Sequence, residues 1–263
     1  MRQRIKHVIR KIIGQSAVDR INGQKNVEKV LSTLNLDDRE LIDRIRVNKL
    51  TYLSNLRLAS LTTTCRLLEE SNLPGVFIEA GCALGGSSIL LASVKSAERP
   101  LYVYDVFGMI PSPSEEDTED VHDRYRTIVE GTSKGIGGDK YYGYEESLYE
   151  IVQSNFREFG IGCEKHSVSL FKGLVQDTMK INQPVAFAHI DVDWYDPVMT
   201  CLERIFPNLV NGGSIILDDY YDWGGCRKAS DEYLRKVVGQ FTLDDSAGSL
   251  KITKKTESEK NSA

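Results

Sequence analysis

The 263-residue chain carries no apolar run long enough to cross a membrane, no CxxC pair and no excess of positive charge, and each absence narrows what it can do. A membrane-spanning helix needs roughly 18 or more consecutive apolar residues, so no transmembrane segment is expected. The opening MRQRIKHVIRKIIGQ has neither the continuous apolar core nor the small-residue cleavage site of a secretory signal. The five cysteines, Cys65, Cys82, Cys163, Cys201 and Cys226, are irregularly spaced. A chain of this length does not depend on disulfides, so reduced thiols and a cytoplasmic protein are the expectation. With 33 basic against 38 acidic side chains the net charge is −5, which leaves no electrostatic footprint for nucleic acid. A small-molecule partner is expected instead. No internal repeat is present.

What the sequence does contain is alternation. Residues 1–72 read as a helical extension, with Ile5, Val8, Ile9, Ile12 and Ile13 at helical spacing beside a basic face, and with a stop at Asn72, Pro74 and Gly75. Such a region suits packing on the body or against a second copy in a homo-oligomer, and contact of its basic start with a membrane surface stays open. From residue 73 apolar strands alternate with helices: GVFIEAG, SSILLASVKSA, LYVYDVF, SLYEIVQSNFREFG, HSVSLF, AFAHIDVD, a helix over 198–206, and GSIILDDY. That order predicts an α/β fold with a mostly parallel, doubly wound sheet. After a helix near 229–238, QFTLDD and SLKITK are joined through Ser246, Ala247 and Gly248 and must pair antiparallel. A Rossmann-like sheet closing on an antiparallel strand is the layout of class I methyltransferases, whereas a nicotinamide-binding domain would continue with parallel strands. One domain over 73–255 is expected, with a disordered polar tail at 256–263. Residues 107–146, about forty in number, exceed an ordinary connection and are expected to form a lid over a ligand, with Tyr141, Tyr142 and Tyr144 offering flat apolar contacts.

The run FIEAGCALGGSS over 77–88 places a strand, a turn and a helix start in succession. Gly81 allows a sharp turn and close ligand approach, Gly85 and Gly86 keep the helix entrance clear, and Ser87 and Ser88 can cap its amides. This is a cofactor site at the carboxyl end of a strand. The spacing departs from GxGxxG, since position 83 is Ala, and so argues against a pyrophosphate. Glu79 would repel a diphosphate but suits the ammonium of a bound amino acid, which favours S-adenosylmethionine. Asp105 ends the next strand, where a carboxylate can accept both ribose hydroxyls; capping of the following turn is its competing role.

Two further strands finish in carboxylates, AFAHID191-V-D193 and SIILD218-D219. On one edge of a parallel sheet these acids crowd together, which is costly without a cation. An all-carboxylate set points to a hard, oxygen-ligated ion, with Mg²⁺ the first choice. His189 reads as a buried, hydrogen-bonded histidine. Methylating a hydroxyl requires its deprotonation, so Asp191, Asp218 and Asp219 are assigned to the metal and Asp193 to the base, the roles of Asp191 and Asp193 being exchangeable.

Over residues 51–234 the chain resembles the metal-dependent macrocin-type O-methyltransferases, which methylate sugar hydroxyls. The resemblance is carried by TYLSNLRL, PGVFIEAGCALGGSS, DVFGMIP, KGLVQDT, HIDVDWYDPV, FPNLVNGGSIILDDY and GCRKASDEYL. It implies that Glu79, Gly81, Ser87 and Asp105 contact S-adenosylmethionine, that the Thr51 segment folds over it, that Asp191, Asp218 and Asp219 hold Mg²⁺, and that Asp193 resembles the family's base. Cys82-Ala83-Leu84 and Leu174 depart from the family pattern. The expected function is Mg-assisted O-methylation of a sugar or glycosylated natural product. A catechol or phenol methyltransferase, a catalytically inactive cofactor-binding relative and a nicotinamide oxidoreductase are the competitors.

Overall fold

The computed structural model describes residues 30–256 and residue 259. The amphipathic run at 5–13 and nearly all of the tail therefore lie outside the described residues. Two helices come first, α1 (Leu36–Val47) and α2 (Asn55–Glu70). They are not continuous, as a helical reading of 1–72 would have it. Asn48 closes α1, Lys49 turns back at φ 55°, and residues 50–54 run extended until Ser54 caps α2 by accepting the Arg57 N–H at 3.2 Å. The apolar Leu50 and Leu53 hide this break in the sequence because both are buried in the same core as the helices.

The alternating unit follows: β1 (Val76–Ala80), α3 (Gly86–Val94), β2 (Leu101–Asp105), α4 (Glu119–Val129), α5 (Leu148–Glu158), β3 (Val168–Lys172), α6 (Val175–Thr178), β4 (Val185–Ile190), α7 (Tyr195–Ile205), β5 (Leu209–Leu217), α8 (Gly224–Lys236), β6 (Phe241–Asp244) and β7 (Leu250–Lys254). The sheet order is β3-β2-β1-β4-β5-β7-β6. The first five strands pair in parallel, while β7 pairs antiparallel with both β5 and β6. This is the closing hairpin expected from the sequence.

Strand alternation divides the core between the two faces. Phe77 on β1, Val103 on β2 and Phe187 on β4 pack under α1, α2, α3 and α5. Val76, Ile78, Ile190 and Leu217 pack under α7 and α8. Burying each such side chain contributes about 1.5–3 kcal/mol. The helices expected as an N-terminal extension thus share one core with the sheet: Ile42, Ile45, Leu58 and Leu61 are buried beside Phe77. The segment 107–146 contains α4, which sequence reading missed because only Val121 and Ile128 on that helix are buried. Its front half is fastened to the helices behind β4 and β5. Asp117 Oδ1 accepts the Tyr195 N–H at 2.8 Å and Asp120 Oδ2 the Gly224 N–H at 2.9 Å, each at a helix N-terminus that favours negative charge.

Candidate active site

β1, β2, β4 and β5 all point their carboxyl ends toward one cavity of about 340 Å³. β1 ends at Gly81, whose φ of +84° suits glycine. A Cβ there would fall 1.8 Å from the Asp191 carbonyl oxygen, so only glycine lets the β1 turn lie against the end of β4. The extended segment 50–54 crosses the same turn: the Gly86 N–H donates to the Leu50 carbonyl at 3.0 Å, and a Cβ on Gly86 would meet that oxygen at 2.5 Å. Thr51 is thereby set on the cavity wall, as are Gly81, Ser87 and Asp105. Gly85 stands behind them as the left-handed cap of α3.

Asp105 performs the turn-capping role. Its Oδ2 accepts the N–H groups of Cys82 at 2.7 Å and Ala83 at 3.2 Å, and its Oδ1 accepts that of Phe107 at 2.7 Å. Burial raises its pKa, and these donors pull it back. A carboxylate has about four acceptor positions, so one remains for a ligand hydroxyl. Asp105 still lines the cavity.

Glu79 departs from expectation. Alternation turns it to the α2–α3 face, where it is fully buried and accepts from Ser88 Oγ; His189, its register partner on β4, places Nδ1 2.9 Å from Oε1. Its carboxylate lies beneath the turn and does not line the cavity, so it is not placed to meet a ligand's ammonium. His189 is the buried, hydrogen-bonded histidine the sequence suggests. Burial works against its charge, but Asp218 and Glu79 outweigh it and hold its pKa at about 9. Its Nε2 stands 4.0 Å from Asp218 Oδ1, an electrostatic contact rather than a hydrogen bond, and neither atom has a hydrogen-bond partner among the described residues.

The four predicted aspartates do meet. Asp191, Asp193, Asp218 and Asp219 all line the cavity, and Asp191, Asp193 and Asp219 bring carboxylate oxygens within 4.8 Å of one another. A second such group is Asp218, Asp219 and Asp222. Asp193 sits in a tight turn at φ 56° and its N–H donates to Asp219 Oδ2 at 3.2 Å. Burial raises the pKa of Asp191 well above the usual range, with the Asp218 and Asp193 charges adding to it. Asp219 is raised well above the range in the same way, by burial and then by Asp193 and Asp191. Asp193 is raised by burial to about 6, with Arg124 opposing. Asp219 is buried and Asp191 and Asp193 are half-buried, so three carboxylates of like charge crowd together at this end of the cavity.

Sequence reasoning missed the basic residues and half the aromatic wall. Arg57 on α2 donates Nη1 to Asp218 Oδ2 at 2.7 Å and lies 2.8 Å from Asp222 Oδ2. Arg124 on α4 stands over the Tyr141 ring, 5.5 Å from its centroid. Tyr52 meets Tyr142 edge-on at 6.0 Å and Trp194 meets Trp223 at 6.0 Å, all four on the cavity wall. Of the three tyrosines expected to face a ligand, Tyr141 and Tyr142 do; Tyr144 instead donates to the Ile128 carbonyl at 2.6 Å and fastens the loop to α4. None of these partnerships has a local sequence signal, since the partners lie at least 16 residues apart in the chain.

The chain is 27% identical over 178 residues to demethyldecarbamoylnovobiocin O-methyltransferase of Streptomyces niveus, covering 63% of this chain and 60% of that protein. It is 29% identical over 198 residues to 8-demethyl-8-(2,3-dimethoxy-alpha-L-rhamnosyl)-tetracenomycin-C 4'-O-methyltransferase of Streptomyces olivaceus, covering 72% and 67%. The aligned region is thus under two thirds of the first relative's length. Among solved structures, the O-methyltransferase NovP superposes with a TM-score of 0.66 at 23% identity, covering 79% of this chain and 83% of that one, which shows the class I methyltransferase fold. The family model for macrocin-O-methyltransferase (TylF) matches residues 5–241. On that match the chain belongs to the macrocin-O-methyltransferase family.

Proposed function

We propose that this chain transfers a methyl group from S-adenosylmethionine to a hydroxyl of a sugar or glycosylated natural product, with Mg²⁺ assisting. The observation that carries the reading is a single cavity in which the Gly81–Asp105 turn faces the carboxylates of Asp191, Asp193, Asp218 and Asp219. The donor set fits a hard divalent ion: it is all oxygen, three of its carboxylates lie within 4.8 Å of one another, and the buried Oδ1 of Asp218 has no donor. Asp191, Asp218 and Asp219 would hold the ion, as the family resemblance implies; the oxygens within 4.8 Å of one another are those of Asp191, Asp193 and Asp219, so Asp193 stands beside the ion as well. The activities for which the relatives are named, one of them on a rhamnosyl tetracenomycin, support the glycoside class.

When bound, S-adenosylmethionine supplies an electrophilic methyl with a neutral thioether as leaving group, and a bound cation would lower the pKa of the acceptor hydroxyl. The protein's own part is placement and proton removal. Gly81, Ser87, Asp105 and Thr51 shape the cofactor end of the cavity, with Asp105 keeping one acceptor position for a ribose hydroxyl. Glu79 acts from beneath, by fixing Ser88 and His189. Asp193, near 6, is ionised at neutral pH and takes the proton of the acceptor. Residues 107–146 act as a lid, with Tyr141 and Tyr142 excluding water.

Labelled S-adenosylmethionine incubated with a panel of glycosides, with Mg²⁺ or with EDTA, tests this. Mg-dependent transfer to a sugar hydroxyl is expected, and full transfer in EDTA would remove the cation from the mechanism. The aromatic wall of Tyr52, Tyr142, Trp194 and Trp223 also suits a flat phenol or catechol. Transfer confined to such acceptors would favour that reading.

A further inference from the structure

The acidic end of the cavity holds two overlapping triads that share Asp219. The inner one is Asp191, Asp193 and Asp219; the outer one is Asp218, Asp219 and Asp222. They differ in counter-charge. No member of the inner triad is hydrogen-bonded to a lysine or arginine among the described residues, whereas the outer triad has Arg57 across two of its three members. Arg57 Nη1 donates to Asp218 Oδ2 at 2.7 Å, its Nη2 lies 2.8 Å from Asp222 Oδ2, and Nη2 also donates to the Gly248 carbonyl at 2.7 Å. The guanidinium is held from both ends of the chain: its helix begins at the Ser54 cap, and Gly248 lies between β6 and β7. Its side chain is 18% exposed, so this is an enclosed contact rather than a surface ion pair.

We propose that Arg57 is a built-in counter-cation that occupies the outer triad and so confines the divalent ion to the inner end of the cluster. This rests on the metal reading above and adds to it. Carboxylate-bridged sites with two ions about 3.5–4 Å apart are common where enough carboxylates converge. Here five aspartates converge, one of them shared, which is enough for two ions on charge alone. A planar guanidinium, permanently charged and forked, spans two carboxylates and a carbonyl at once, which a lysine ammonium does not match. With Asp218 Oδ2 and Asp222 so engaged, an outer ion would have to displace a half-buried cation. Asp218 Oδ1, buried and without a hydrogen-bond partner, stays available to the inner ion.

Mn²⁺ titration of the full chain, with free ion counted by EPR, reads the number of ions bound without reference to turnover. The wild type is expected to bind one. Arg57→Met is expected to bind two, and Arg57→Met with Asp222→Asn to return to one, because the second variant removes the outer triad's exposed member. Asp222→Asn alone should leave the wild-type count and affinity unchanged. Arg57→Lys, which keeps the charge but cannot span both carboxylates, should admit the second ion more weakly, and it decides the matter should the Met variant fail to fold. One ion in both Arg57 variants at unchanged affinity would overturn the role of Arg57 and leave the metal reading intact. Loss of the first ion in them would show Arg57 to be an organiser of the cluster, which also overturns it. No ion in the wild type would remove both.

Discussion

Two corners of one sheet edge handle carboxylates in opposite ways. At the ends of β1 and β2 a single aspartate, Asp105, receives three backbone N–H groups within 3.2 Å. At the ends of β4 and β5, Asp191, Asp193 and Asp219 crowd together and burial raises the pKa of each. The first corner is complete as folded, so its acid serves stability and ligand shape together. The second is under-neutralised, so its acids oppose folding, and under the proposed function a cation would relieve them. Stability and function coincide at one corner and conflict at the other.

Neutralising one acid at the crowded corner gives the largest expected effect. Asp219→Asn should abolish turnover, and Asp218→Asn should do the same, while S-adenosylhomocysteine binding by calorimetry survives in both. Asp219→Asn should also raise the melting temperature of the metal-free protein, because its ionised form is disfavoured by burial and by Asp193 and Asp191. A lower melting temperature would break the comparison. Next comes Asp193→Asn, for which a fall in kcat on the order of 10²-fold or more is expected, the usual scale for losing a general base. Wild-type turnover there would move the base to another residue.

Much of the quieter corner was legible in the sequence, and only the anionic half of the crowded one. Gly81, Asp105 and the DVD and DD strand ends announce themselves because strand alternation and parallel pairing fix which side of the sheet they reach. Arg57 and Asp222 do not: their pairing joins α2 to the segment after β5, and nothing local distinguishes Arg57 from the other 32 basic residues of the chain. Glu79 was expected at a ligand because it precedes a glycine turn, whereas alternation sends its side chain to the buried α2–α3 face, off the cavity wall. The helix α4 was passed over although Val121, Tyr125 and Ile128 fall at helical spacing, because it lies between the polar runs PSPSEEDTED and GTSKGIGGD and was absorbed into the loop.

Gly81 joins the two corners, and its substitution tests whether they are mechanically separate. In Gly81→Ala the new Cβ would meet the Asp191 carbonyl in a left-handed backbone, so a loss of about 2–5 kcal/mol in chemical denaturation is expected. Both cofactor and Mn²⁺ affinity should fall together. Loss of cofactor binding alone would show that β4 does not lean on β1. Asp105→Asn is milder. An amide replaces one carboxylate oxygen and leaves at least one backbone N–H without an acceptor, a cost of about 1–3 kcal/mol. Cofactor affinity should fall with stability, the reverse of the pattern expected at Asp219.

The smallest effect concerns a cation behind the quiet corner. Lys95 follows α3, is 5% exposed, and places Nζ 2.5 Å from the His166 carbonyl. Burial lowers its pKa from 10.5 to about 8, the nearby Glu69 opposing. A lysine whose folded pKa lies below its unfolded one binds fewer protons when folded. Between about pH 8 and 10.5 the unfolded chain therefore holds the extra proton, and stability from this group rises with pH across that window. Below pH 8 both states are protonated and the group gives no slope. Denaturant melts of the wild type and Lys95→Met at pH 7.5 and pH 9.5 should differ in this slope alone, with the variant flatter. An equal slope in both would mean that Nζ stays protonated on its carbonyl acceptors, and that hydrogen bonding rather than burial governs charge on this side of the sheet.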